Sequence, residues 1–311
     1  MSPRQILQII VGVVALVSCS AGQTPSAIQP AKSATPPAVT LRVAAVQMRS
    51  QSELRANVAM IKKHLADLAA RQVQIVAFPE CAVSSYAAPV ILGLAAADLA
   101  AAEVEIAAAC REHAIAAIVG IPERRAGKLY NCALIINPRG EIVARYDKAQ
   151  LVGQDLAWQC VPGAAVSPVF GVGATEASVI ICHDSRYPEL CRLPVMAGAR
   201  VVFYISHEST ISKENKMGPY RAQVQARAVE NSVFVVHANA PADGVRTGSH
   251  GQSRIVAPDG NILQEASQLQ EEVLVADLDL KEATGERALA SLKGPLGDWW
   301  RSGLKQVRVI K

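Results

Sequence analysis

Past residue 40, short apolar runs alternate with segments whose apolar residues recur at helical spacing. Leu41 to Gln47 reads as a buried strand, and Asn57 to Ala70 then places Val58, Ile61, Leu65 and Leu68 on one helical face. Gln74 to Phe78 predicts a second strand, and Ala95 to His113 a second helix. Ile115 to Ile121 reads as a strand ended by Pro122. Leu129–Asn137 and Glu141–Arg145, joined by Pro138-Arg139-Gly140, predict a hairpin. The pattern then repeats: strand Ala177–Cys182, helix Pro188–Ala197, strand Arg200–Ile205, helix Gly218–Asn231 and strand Val233–Ala238. Gln252–Ala257 and Glu272–Asp277 predict late strands separated by the turn Pro258-Asp259-Gly260-Asn261. Buried strands alternating with helices define a layered α/β domain. No short-period repeat is visible, which excludes a solenoid.

Ahead of this domain the pattern changes. Arg4 precedes an apolar run from Ile6 to Val17, broken only by Gln8 and Gly12. That is the length of a signal peptide; a spanning helix needs roughly 18 residues or more. The run ends in Leu16-Val17-Ser18-Cys19-Ser20, which resembles the bacterial lipoprotein box, whose cysteine is lipidated after cleavage. Residues 1–18 are therefore expected to be a lipoprotein signal peptide. Acyl chains on Cys19 contribute roughly 0.8 kcal/mol per buried CH2. Residues 19–40 carry Thr24-Pro25-Ser26, Gln29-Pro30 and Thr35-Pro36-Pro37, an extended tether unable to bury apolar surface. The folded domain is expected over 41–311, on the non-cytoplasmic side of a bacterial membrane in the cell envelope.

Composition narrows the chemistry. The chain is 50% hydrophobic and 19% charged, enough apolar material for a sizeable core. Its net charge of +4 is spread without a Lys or Arg run, and aromatics make up only 4%. Both argue against nucleic acid as a partner. Seven dispersed cysteines form no CxxC pair and no Cys/His set at zinc spacing, so neither a metal nor a disulfide framework is expected.

Three chemically capable residues each follow a predicted strand: Glu80 after Phe78-Pro79, Lys148 in Arg145-Tyr146-Asp147-Lys148, and Cys182 after Val179-Ile-Ile. In layered α/β domains, strand ends are where reacting groups converge. Singly, each has a plainer reading: a solvated loop acid, a surface lysine and a buried structural thiol. Together they can act. A thiol attacking an amide carbon needs a base for its proton, a donor for the oxyanion and an acid for the leaving amine.

The order Glu…Lys…Cys, roughly seventy and then thirty-five residues apart, resembles the nitrilase-like carbon–nitrogen hydrolase superfamily. So do the contexts Phe-Pro-Glu, Tyr-x-Lys and Cys-x-Asp-x-Arg-aromatic-Pro-Glu. Val43–Gln47 resembles the family's opening strand, Ala226–Asn231 its late helix and Gly251–Gly260 its C-terminal hairpin, so the likeness spans about Leu41 to Leu280. It implies an αββα sandwich, often dimerised into four layers, hence a homodimer or higher homo-oligomer, with Glu80, Lys148 and Cys182 catalytic and no cofactor or metal. Lys148 and the backbone N–H of His183 would hold the oxyanion, and Lys148 would favour the thiolate. The context resembles the amidase and carbamoylase branches, implying hydrolysis of a linear amide or N-carbamoyl compound. Acyl transfer to an amine and a non-catalytic envelope lipoprotein on the same fold are the alternatives.

One departure stands out. Many family members carry a second glutamate soon after the lysine, but between Ala149 and Gly163 the only acid is Asp155. One methylene shorter, Asp155 is expected to lie beyond hydrogen-bond reach of Lys148 and to replace that glutamate incompletely. Arg186 has two open roles, orienting the post-cysteine loop or binding a substrate carboxylate. His207 and, less strongly, Tyr86 are candidates for substrate contact. Trp299 and Trp300 read as packing against a partner subunit, and Cys81 and Cys191 as cysteines able to form disulfides.

Overall fold

In the computed structural model, which describes residues 39–208, 217–242 and 249–302, the apolar runs are buried on both faces. Along Thr40–Gln47 (β1), Leu41, Val43 and Ala45 face one core cluster while Ala44 and Val46 face another. A strand with helices on one side and a second sheet on the other has no solvated face, so its sequence runs apolar instead of alternating. This fixes the architecture.

The first sheet continues with Ile75–Ala77 (β2), Ala116–Arg125 (β3), Lys128–Ile136 (β4) and Ile142–Asp147 (β5). The second contains Phe170–Val172 (β6), Thr175–Ile181 (β7), Val201–Ser206 (β8), Phe234–Asn239 (β9), Arg254–Val256 (β10) and Ile262–Glu265 (β11). The last strand, Glu272–Asp279 (β12), returns to the first sheet and pairs antiparallel with β1 from Thr40↔Asp279 to Gln47↔Glu272. The orders are β12-β1-β2-β3-β4-β5 and β11-β10-β9-β8-β7-β6. The centre of each sheet is parallel: β1, β2 and β3 in one, β7, β8 and β9 in the other.

Parallel neighbours need crossover helices. Leu54–Ala70 (α1), Ala88–Gly93 (α2) and Ala96–His113 (α3) connect the first sheet. Gly153–Ala157 (α4) follows β5; Pro188–Met196 (α5) and Met217–Val229 (α6) serve the second sheet; Glu286–Ala290 (α7) and Gly294–Ser302 (α8) close the chain. One apolar cluster fills the space between the sheets, through Val43, Ile118, Val179, Phe203 and Val236. A second lies under α1 and α3, through Ile61, Leu65 and Ile106, and a third under α5 and α6, through Val195 and Val224. The result is the expected αββα sandwich.

The late strands differ from the expectation. The turn at 258–261 joins β10 to β11, a strand with only two apolar residues, while β12 crosses to the other sheet instead of completing that hairpin. Cys19, its flanking segments and the side chains of Trp299 and Trp300 lie outside the described residues. All six described cysteines are free, so Cys81 and Cys191 form no disulfide: Cys81 Sγ lies 3.8 Å from Asn131 Oδ1, and Cys191 Sγ 3.6 Å from Asn231 Nδ2.

Candidate active site

Strands of both sheets end on one side of the sandwich, and the residues that follow them meet there. Glu80 follows β2, Lys148 follows β5, Cys182 follows β7, and His207 and Glu208 follow β8. Glu80 sits where β3 passes very close. A Cβ on Gly120 would lie 2.2 Å from Pro79 O and 2.7 Å from Glu80 Cα, so only glycine permits this approach.

Lys148 and Glu80 are fully withdrawn from solvent. Lys148 Nζ donates to Glu80 Oε1 at 2.8 Å and to Asp155 Oδ2 at 2.8 Å. Asn131, interior to β4, donates its side-chain amide to Glu80 Oε1 at 2.7 Å and Asp155 Oδ1 at 3.1 Å; its carbonyl accepts the Lys148 backbone N–H at 2.8 Å. The backbone N–H of His207 donates to Glu80 Oε2 at 2.9 Å. Glu80 is thus held by three donors, with one oxygen contacted by a single N–H. Burial alone would push the Lys148 ammonium down, but Glu80, Cys182 and Asp155 outweigh it and hold the pKa well above the ordinary lysine value.

The expected separation of Asp155 from Lys148 is overturned. Its carboxylate is buried and within hydrogen-bond distance of Lys148, because α4 begins at Gly153 and Asp155 occupies the helix's third position. There Oδ2 also accepts the Val152 N–H at 2.9 Å, which turns the short side chain back toward the lysine. Tyr86 OH adds a 2.9 Å bond to Oδ1. Helix direction supplies the reach that the missing methylene takes away.

Cys182 has φ +45°, a left-handed conformation uncommon for a residue with a side chain, and opens the 3-10 turn Cys182–Arg186. His183 takes the next position. Asp184 anchors the turn: its carboxylate accepts Tyr146 OH at 2.9 Å, the Gln150 N–H at 2.8 Å and the Ile181 N–H at 3.2 Å. Burial pushes the Cys182 thiol up, the Glu80 charge pushes the same way, and Lys148 opposes both without prevailing. The expected thiolate-favouring effect of Lys148 is therefore present but outweighed, and the resting group is a thiol that needs a base.

Tyr86 and His207 do belong to this site. Their rings stack at 5.0 Å, Tyr86 also packs edge-on to Trp158, and Lys148 Nζ lies 5.8 Å from the Tyr86 ring centre. Both line a cavity of about 560 Å³ with Arg49, Ser50, Gln154 and Ser249. Arg186 stands apart from this cavity, with its guanidinium 5.3 Å from the ring centre of Tyr220 on α6, which favours the loop-orienting role. Elsewhere Glu123, Cys132 and Asp147 approach one another closely enough to ligate a cation, but Arg125 and Arg145 already pair with these carboxylates. Asn131, Asp184 and Glu208 escaped sequence reasoning as site residues. For Asn131 the available signal was polarity inside the otherwise apolar strand β4.

A fully buried Glu–Lys–Asp network beside a thiol at the strand ends of an αββα sandwich defines a carbon–nitrogen hydrolase site. The chain belongs to the carbon–nitrogen hydrolase family, whose sequence model matches residues 42–287. It is 28% identical to the human omega-amidase NIT2 over 255 residues, 78% of this chain and 90% of that protein. It is also 28% identical over 165 residues to the "hydrolase in agr operon" of Staphylococcus aureus, covering 52% of this chain and 61% of that protein, so it spans under two thirds of that relative. Among solved structures, a nitrilase-superfamily amidase of Nesterenkonia AN1 shares the fold, with a TM-score of 0.74 at 24% identity over 84% of this chain and 97% of that one. A butyramide complex of a cysteine-to-alanine variant of the Nesterenkonia sp. AN1 amidase matches at TM-score 0.71 and 25% identity, covering 79% and 95%.

Proposed function

We propose that the protein hydrolyses a small linear amide, or a chemically equivalent N-carbamoyl compound, through a thioester on Cys182. The observation that carries this reading is the buried Glu80–Lys148–Asp155 network at the strand ends, where β7 also ends at Cys182. Glu80 accepts the thiol proton as sulfur attacks the carbonyl carbon. The resulting oxyanion is stabilised by the Lys148 ammonium and the His183 N–H. Collapse breaks the C–N bond, and ammonia or an amine leaves with the proton from Glu80. Water, deprotonated by Glu80, then adds to the thioester; the acid departs and the thiol recovers its proton. Asp155 and Asn131 keep Lys148 and Glu80 in place throughout.

The decisive experiment is ammonia release from a panel of short aliphatic amides including butyramide, N-carbamoyl amino acids and nitriles. Amides should turn over fastest and nitriles least. Silence on every amide and carbamoyl compound, with nitriles hydrolysed, overturns the reading. The N-terminal sequence supports a lipid-anchored enzyme in the cell envelope. Mass spectrometry of the mature protein should find acylated Cys19 at its N-terminus, and an unmodified Cys19 refutes the anchor.

A further inference from the structure

Glu208 is a carboxylate only 1% exposed, two residues past the end of β8, and no step above uses it. Burying such a charge is costly unless partners surround it, and here they do. Tyr204 on β8 donates its hydroxyl to Oε1, His250 Nε2 lies 2.7 Å from Oε2, and His237 Nε2 on β9 lies 4.0 Å from Oε1. Arg254 on β10 and Tyr220 on α6 also feel its charge, and burial pushes the His237 imidazole down to about 3, so that ring is neutral.

The hydrogen bonds run in one direction. Gln223 on α6 donates to Ser185 Oγ at 2.6 Å, Ser185 donates to Tyr204 OH at 3.0 Å, and Tyr204 donates to Glu208. Ser185 belongs to the turn that begins at Cys182, and its carbonyl accepts Arg227 Nε at 2.9 Å. On the other side, the amide of His207 holds Glu80, and the amide of Glu208 donates to Asn239 Oδ1 at 3.1 Å. One dipeptide therefore touches the base through its backbone and the nucleophile's turn through a side-chain chain.

We propose that Glu208 is a positioning residue, setting the placement of the Cys182 turn through Tyr204 and Ser185. The inference rests on Cys182 as the nucleophile, but its test needs no turnover. Iodoacetamide alkylates the thiolate and carries the primary amide that the oxyanion donors would hold. Its rate against pH therefore reads both the ionisation and the placement of sulfur. Peptide-resolved mass spectrometry isolates Cys182, the other described cysteines being buried.

Tyr204→Phe and Ser185→Ala should lower the plateau rate about tenfold, since small misplacements of reacting groups are costly, and leave the inflection in place. Glu208→Gln should lower the plateau and move the inflection to lower pH, because a negative charge opposing thiolate formation has gone. If Glu208→Gln shifts only the inflection while the other two variants match wild type, the carboxylate acts by charge alone and the proposal fails. If Glu208→Gln does not fold, Tyr204→Phe and Ser185→Ala decide, and wild-type plateaus in both overturn the proposal. Unfolding of all three by circular dichroism makes the chain a stability element and overturns it too. Failure of the nucleophile assignment is seen separately, as amide turnover that survives Cys182→Ala.

Discussion

Cys182→Ala is expected to abolish amide hydrolysis and to leave the fold intact. The methyl of alanine fits where a thiol stood at the end of β7, and the turn keeps its anchors at Asp184 and Ser185. With no sulfur, no acyl-enzyme can form, and Glu80 and Lys148 alone provide no nucleophile. Because residues that act as a unit lose activity together, Glu80→Gln should fall nearly as far, by several orders of magnitude, and the double variant little further. Ammonia release with matched circular dichroism spectra checks this; a Cys182→Ala enzyme that still turns over refutes the assignment. The wild-type thiol should also alkylate with an inflection above that of free cysteine, about 8.5, because a raised pKa demands higher pH for the same thiolate fraction.

Asp155→Asn should cost on the order of a hundredfold in turnover, far more than its shorter side chain suggests. Four donors converge on this carboxylate: Tyr86 OH and the Asn131 amide on Oδ1, Lys148 Nζ and the Val152 N–H on Oδ2. An asparagine must turn its NH2 against one pair of them, and an amide nitrogen cannot accept. Either Lys148 or the Tyr86–Asn131 pair then loses its partner. The fold should survive, since Lys148 keeps Glu80, and the loss should appear in turnover more than in melting temperature. Turnover within about tenfold of wild type would show that Asp155 only fills space.

The strands with both faces buried were legible because hydrophobic runs report burial directly. Glu80 and Cys182 were legible because each follows such a run, and Lys148 because it ends the hairpin's return strand, all three with flanks of recognisable type. Asp155 was misjudged because reach depends on the direction of α4, and Gly153-Gln-Asp-Leu-Ala157 is too short to show a helical period. Asn131 was hidden inside the apolar hairpin strand, where one polar residue looks like noise until three partners surround it. The Glu208–Tyr204–Ser185 chain joins two strand ends and a turn, a convergence that only the parallel registers of β7, β8 and β9 bring about. The destination of β12 was unreadable for a similar reason: alternation announces a strand, while the choice of sheet is made by partners more than two hundred residues away.

Glu80 and Lys148 hang from the first sheet and Cys182 from the second, with a shared apolar cluster packed between the two sheets. The gap across which the proton would pass is therefore set by the thickness of that filling. Residues such as Val179, Ile118 and Phe203 meet no substrate, yet they act as the spacer of a caliper whose two jaws carry the chemistry. Variation in this layer is a change in reaction geometry as much as in stability.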